Sequence, residues 1–246
     1  MRLVAGNWKM NGGPAMADAL VRDLAQRLQG GTAAQVLLCP PFHLLEHVGR
    51  AARSTGLQVG AQDCSTEAGP GAFTGEVSAA MLAEVGCRAV IVGHSERRAR
   101  HGETDAQVAA KARNALAAGL LPLICVGETR AEREAGRAEA VVAGQLAGSL
   151  PQLAAGQQVV IAYEPVWAIG TGLTATPADV AAMHARIRRE LQAIGGAAAG
   201  AAILYGGSVK AGNAAELFAV PEVAGALVGG ASLEAEGFAR IVQACR

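Results

Sequence analysis

V-V-I-A-Y-E-P-V-W-A-I-G-T-G-L-T-A-T-P, residues Val159 to Pro177, reads as a strand, an acid and a loop in that order. Val159, Val160 and Ile161 are β-branched and favour an extended, buried chain. Glu164 follows, and Pro165 disfavours the helical region for the residue before it, so Glu164 is predicted to project from the strand end. Thr176-Pro177 has the residue types of a helix N-cap and first helical position. Between them lie Trp167, Gly170 and Gly172. A carboxylate on a rigid strand end beside such a loop suggests a base under a lid.

Working outward, apolar runs of strand length recur along the chain. They are Arg2 to Gly6, Gln35 to Cys39, Leu57 to Ala61, Ala89 to Gly93, Leu121 to Val126, Val159 to Tyr163, Ala201 to Tyr205 and Ala224 to Val228. Most are apolar throughout, as strands covered on both faces of a parallel sheet must be. Helical patterns fill the gaps: 15–29, 44–53, 78–85, 105–118, 131–147, 178–194, 213–218 and 233–244. In the first, Met16, Leu20, Leu24 and Leu28 form one stripe, with Arg22, Asp23 and Gln26 off it. Strand-helix alternation at this length predicts a single closed (β/α)₈ barrel over residues 1–246, an α/β fold, with an open doubly wound sheet as the alternative.

Composition narrows the function. Of 246 residues, 51% are hydrophobic and 17% charged, the balance of a folded globular chain. Lys+Arg and Asp+Glu both number 21, so no basic excess points to nucleic acid or to a membrane surface. The opening Met1 to Lys9 has too short an apolar stretch for a secretory signal. The uncharged stretches 140–163 and 191–209 are interrupted by Pro151, glutamines and glycines, and neither reads as a membrane span. The five cysteines are scattered and never in C-x-x-C spacing, which predicts buried thiols in a reducing, cytoplasmic compartment.

In a barrel the chemistry sits on the loops after the strands. Those loops supply Asn7 and Lys9, then His94, then Glu164, then Gly206-Gly207-Ser208 and Gly229-Gly230-Ala231-Ser232. An amide, an ammonium, an imidazole and a carboxylate converge on one mouth beside two glycine-rich turns. The glycine turns stand where barrel enzymes often bind phosphate.

With these residues in place the chain closely resembles the triosephosphate isomerase family along essentially its whole length. The stretches that carry the resemblance are G-N-W-K-M-N from Gly6, G-A-F-T-G-E-V-S from Gly71, V-G-H-S-E-R-R from Val92, C-V-G-E from Cys125, A-Y-E-P-V-W-A-I-G-T-G from Ala162, Y-G-G-S-V from Tyr205 and V-G-G-A-S-L from Val228. The resemblance implies a glycolytic and gluconeogenic aldose-ketose isomerase acting on D-glyceraldehyde 3-phosphate and dihydroxyacetone phosphate. Glu164 would be the base and His94 a neutral electrophile, a pairing that is itself a standard case of pKa tuning. Asn7 and Lys9 would help hold substrate and oxyanion, and Glu96 would orient Lys9. Ser95 would cap a helix whose dipole keeps His94 neutral. Phosphate would meet Gly170, Ser208, Gly229 and Gly230. Val166, Trp167, Ala168, Ile169, Gly170, Thr171, Gly172, Leu173, Thr174 and Ala175 would form the lid, whose closure would make Glu164 more basic by desolvation. No metal and no cofactor is implied. The loop from Asp63 to Gly75, with Phe73 and Thr74, would insert into a second subunit of a homodimer. One departure is Leu173, where the family usually has lysine; only a surface contact of the hinge is expected to be lost.

Plainer readings compete. Gly170-x-Gly172-x-x-Ala175 superficially fits a dinucleotide fingerprint but does not open a helix from a strand. His43 and His47 share a helix face without an H-E-x-x-H pattern, so an ordinary face is expected. Lys9 is one of three lysines, and Lys111 and Lys210 are expected to be exposed. The rivals in function are a non-catalytic barrel that binds a phosphorylated metabolite, which has no use for Glu164 and His94 together, and a Schiff-base aldolase, for which Lys9 is the one candidate lysine left.

Overall fold

A computed structural model describes residues 1–170 and 173–246. Eight strands, β1 (Leu3–Asn7), β2 (Gln35–Cys39), β3 (Gln58–Ala61), β4 (Ala89–Val92), β5 (Leu121–Val126), β6 (Val160–Tyr163), β7 (Ala202–Tyr205) and β8 (Gly225–Val228), close in sequence order into one barrel. Every pair is parallel, and the ring is sealed by β1 against β8, with Leu3 opposite Gly225. The open doubly wound sheet is thereby excluded.

Strand alternation builds two cores from one sheet. Leu3, Ala5, Leu37, Ile91, Leu123 and Leu204 point inward and fill the barrel, while Val4, Leu38, Val92, Ile124, Ile161 and Ile203 point outward beneath the helices. Both faces are apolar, which explains why the strands read as continuous apolar runs.

The helices are α1 (Pro14–Arg27), α2 (Leu45–Ala51), α3 (Ala79–Glu84), α4 (Ser95–His101), α5 (Asp105–Ala117), α6 (Arg130–Glu134), α7 (Ala138–Ser149), α8 (Pro177–Ile194), α9 (Ala214–Phe218) and α10 (Ala235–Ala244). Among the described residues no helix is long and apolar enough to cross a membrane. Thr176 caps α8 as its sequence indicates: its side chain accepts from Asp179 N–H, Asp179 answers the Thr176 N–H, and Pro177 follows. A cap of this kind stabilises a helix by about 1 kcal/mol.

Three local expectations are corrected. The helix expected over 131–147 is two, because Gly136 takes a left-handed φ of 69°. Its N–H donates to Arg133 O and the Arg137 N–H to Glu132 O, which closes α6 with a Schellman motif before α7 starts. α4, a seven-residue helix directly after β4, is absent from the helices read from periodicity, and only the resemblance, through Ser95, implied a helix there. Lys111 is not exposed. It is 5% accessible on α5, and its ammonium meets both oxygens of Asp63 at 2.7 and 2.9 Å and the carboxylate of Glu103. Its counter-charges lie on another loop, so local sequence gives no warning. Lys210 is exposed.

Candidate active site

Glu164 leaves the end of β6 between two glycines on the neighbouring strand ends. A Cβ on Gly127, after β5, would fall 1.8 Å from the Glu164 carbonyl oxygen, and one on Gly206, after β7, would fall 2.8 Å from Glu164 Cγ. Real Cβ atoms do not approach so closely, so any side chain at either position would displace the acid. The seat of Glu164 is built from what its neighbours lack.

The carboxylate is 1% exposed. Its Oε1 lies 2.9 Å from His94 Nε2, and its Oε2 accepts the Ser95 N–H at 2.9 Å. Burial lifts the affinity of Glu164 for a proton, but His94, the Ser95 amide and the Cys125 thiol outweigh it and hold the acid below the ordinary glutamate value. The expected rise in basicity therefore requires these contacts to be given up. Burial alone does not produce it.

His94 itself is the N-cap of α4: Nδ1 accepts the Glu96 N–H at 3.2 Å, and Ser95 is the first helical residue instead of the cap. Burial presses the imidazole toward neutrality, while the adjacent Glu164 carboxylate, with Glu96, lifts its pKa above the ordinary value. The hydrogen bonds decide between these pulls. A proton on Nδ1 would set donor against donor at the Glu96 amide, so this geometry holds the neutral ring with its proton on Nε2, facing Glu164.

Lys9 reaches the same mouth from the β1 end in a left-handed backbone conformation, φ 54°, which costs an L-residue about 1–2 kcal/mol. Two side chains hold it there. Asn7 Oδ1 accepts the Lys9 N–H at 3.0 Å, and Gln62 Nε2 donates to the Lys9 carbonyl at 2.8 Å and to the Cys39 carbonyl at 2.9 Å. The Lys9 ammonium donates to Glu96 Oε1 at 2.5 Å.

Asn7, Lys9, His94, Glu96 and Glu164 line one cavity of about 290 Å³ together with Gly170, Ser208, Gly229 and Gly230. Ile169 joins this wall. The two glycine turns thus face the acid across the space. Ser232 does not: it is fully buried and its hydroxyl donates to the Gly229 carbonyl at 2.7 Å.

The stretch expected as a lid starts as a short 3-10 turn, Val166–Ala168. Trp167 Nε1 donates to Glu128 Oε1 at 2.8 Å, and the Val166 N–H to the Glu128 carbonyl at 3.1 Å. Thr171 and Gly172 lie outside the described residues. Leu173 is 45% exposed, Thr174 is exposed, and Ala175 is buried. Phe73, on the Asp63-to-Gly75 loop, is 44% exposed and Thr74 is exposed, and neither lines this cavity. His47 pairs with Asp18 at 2.8 Å. Sequence reading gave no role to Glu128, Gln62 or Gly127, and took Gly206 only as part of a phosphate-side turn. The first stood in the C-V-G-E stretch and the last in Y-G-G-S-V, but nothing local announces what each touches.

The family model described as triosephosphate isomerase matches residues 2–245. The triosephosphate isomerase of Acidiphilium cryptum (strain JF-5) is 55% identical over 251 residues, covering 99% of this chain and 98% of that protein. That of Herpetosiphon aurantiacus is 56% identical over 98% of both. A crystal structure of triosephosphate isomerase from Bartonella henselae has the same fold at a TM-score of 0.89, with 42% identity over 99% of this chain and 98% of that one. With the barrel, the converging mouth residues and a match that runs almost end to end, the chain belongs to the triosephosphate isomerase family.

Proposed function

We propose that Glu164 is the base, and His94 and Lys9 the oxyanion donors, of the isomerisation that defines this family: D-glyceraldehyde 3-phosphate to dihydroxyacetone phosphate and back, a step of glycolysis and gluconeogenesis. The observation that carries the assignment is Glu164 Oε1 at 2.9 Å from His94 Nε2 in the cavity that Gly229 and Gly230 also line. Glu164 turns from His94 and Ser95 to the substrate, losing the contacts that depress its pKa while burial remains, and so becomes the stronger base. It takes the proton from the carbon next to the carbonyl, and the bonding pair moves to form an enediolate. His94 Nε2–H and the Lys9 ammonium donate to its oxygens. A proton passes from the hydroxyl oxygen of the enediolate to the former carbonyl oxygen, and Glu164 returns its proton to the neighbouring carbon, so carbonyl and hydroxyl exchange places, nothing is oxidised overall and no co-reactant is consumed.

Backbone N–H groups at Gly170, Ser208, Gly229 and Gly230 hold the phosphate, and at the three glycines the missing Cβ allows close approach. Asn7 fixes the Lys9 backbone, and Glu96 aims its ammonium. Closure of residues 166–175 excludes water from the enediolate. The direct test is the interconversion rate of the purified protein beside Glu164→Gln, with a loss of about 10²- to 10⁴-fold expected. Equal activity would remove Glu164 from its role. A folded but inactive parent would revive the binding-barrel reading.

The assembly is a homodimer in which the Asp63-to-Gly75 loop of one copy enters a groove beside the mouth of the other. Met10 (95% exposed), Phe42, Gln62, Arg97 and His101 line that groove, and Phe73 on the loop is itself exposed. Exposed apolar groups on both loop and groove support mutual burial. Light scattering is expected to give twice 24.8 kDa. Five free, buried cysteines support a cytoplasmic location.

A further inference from the structure

Arg133 takes no part in the chemistry above, yet its guanidinium touches groups on both sides of the 166–175 segment. On the near side, Nη1 donates to Glu128 Oε1 at 3.2 Å, the same oxygen that accepts from Trp167 Nε1 at 2.8 Å and from the Tyr163 hydroxyl at 3.1 Å. Glu128 is fully buried, and Arg133 supplies the positive charge facing it. The guanidinium carbon also lies 4.7 Å from the Trp167 ring centroid. On the far side, Nη2 donates to Asp179 Oδ1. The other oxygen of Asp179 accepts the Thr176 N–H at 3.0 Å and its hydroxyl at 2.7 Å, closing the N-cap of α8.

We propose that Arg133 is a positioning residue that ties the two ends of the 166–175 segment into one unit. This rests on the reading of that segment as a lid. Trp167 cannot leave Glu128 without also leaving the face of Arg133, and a displaced Arg133 loosens its hold on Asp179, four residues beyond the segment. The described ends, Val166–Ala168 and the Thr176–Asp179 cap, therefore change together. A planar fork with a flat face can serve two carboxylates and an indole at once, which an ammonium cannot.

The experiment uses the full chain carrying Trp8→Phe, so that Trp167 is the sole tryptophan. Trp8 is suited to removal because its buried indole N–H has no partner among the described residues. Arg133→Met and Arg133→Lys are compared for KM, kcat and Trp167 emission with and without glycerol 3-phosphate, which carries the phosphate but has no carbonyl to react. Arg133→Met is expected to raise KM about five- to tenfold with kcat changed less than about twofold, and to lose at least about half of the ligand-induced emission change. Arg133→Lys is expected to fall between. Asp179→Asn keeps a capping oxygen while removing the charge that Arg133 meets, and is expected to raise KM in the same direction should Arg133→Met not fold.

Variants that melt earlier but keep the parental KM and emission response would make Arg133 a structural brace and overturn the proposal while leaving the lid intact. A parent that binds glycerol 3-phosphate by calorimetry with no change in Trp167 emission would overturn the lid reading itself, and this inference with it.

Discussion

Two clusters of buried charge in this barrel are held in opposite ways. Lys111 and Arg97 face Asp63 and Glu103: Lys111 contacts both acids, and Arg97 Nε lies 2.9 Å from Asp63 and 2.5 Å from Glu103. Cation answers anion, two for two. Burial pushes the Asp63 carboxyl up, and for Glu103 the hydrogen bonds from Lys111 and Arg97 overcome burial and pull it down. Glu164 is buried more deeply but meets no lysine or arginine among the described residues, only the His94 ring, a backbone N–H and a thiol. Formal counter-charge makes a cluster that is costly to break. Dipoles make one whose carboxylate can leave, which is what a base must do.

The largest effect that would sharpen this contrast is expected from Lys111→Met. Two buried acids would then share Arg97 alone, and a loss of about 3–5 kcal/mol in denaturant unfolding is expected, with the turnover of the folded fraction unchanged. Adding Glu103→Gln should recover part of it. A stable Lys111→Met protein would show that the cluster is not held by its charges.

Acid supplies the next test, through a buried group that makes no ion pair among the described residues. His184 Nδ1–H donates to the Glu222 carbonyl at 3.2 Å, its Nε2 has no hydrogen-bond partner among the described residues, and burial pushes its pKa down from 6.5 to about 4. A depressed histidine favours the fold while neutral. Its stabilisation is complete above pH 6.5 and is lost as the pH falls from 6.5 to about 4. The loss is at most about 3.5 kcal/mol, 2.5 pH units at about 1.4 kcal/mol each. His184→Gln should flatten the unfolding free energy across that window, and an unchanged slope would assign the acid sensitivity to other groups.

Gly206→Ala attacks the seat of Glu164 with one methyl group. Its Cβ would come 2.8 Å from Glu164 Cγ, and a displaced base is expected to cost about 10²-fold in kcat/KM. Gly212→Ala, whose Cβ would meet nothing within 4 Å, is the control. The smallest effect is expected from Leu173→Lys at the exposed end of the lid segment, less than about twofold in turnover, as surface charges exert little force. A rise of severalfold would give that hinge position a kinetic role.

The barrel was legible because each strand is apolar on both faces and each break carries its own signal. Thr176-Pro177 marked the start of α8, and Pro165 marked the end of β6. What stayed hidden depends on partners distant in the chain. Lys111 looks like any helix-surface lysine until Asp63 and Glu103 are brought to it. Gly127 and Gly206 look like turn residues, and only the pairing of β5 and β7 on either side of β6 shows that they shape the seat of Glu164. The site residues stood out because each ends a strand and a family pattern surrounds it. Arg133 is the next-to-last residue of a five-residue helix, and no pattern marks it.

The inward face of the sheet, filled by Leu3, Leu37, Ile91 and Leu123, has a consequence for traffic. No passage runs through the axis, so reactant and product use the same doorway and compete for the same cradle. Each direction of the reaction is inhibited by its own outcome. The catalyst can impose no direction on the flow of triose, and the ratio of the two sugars outside the door decides which way carbon moves.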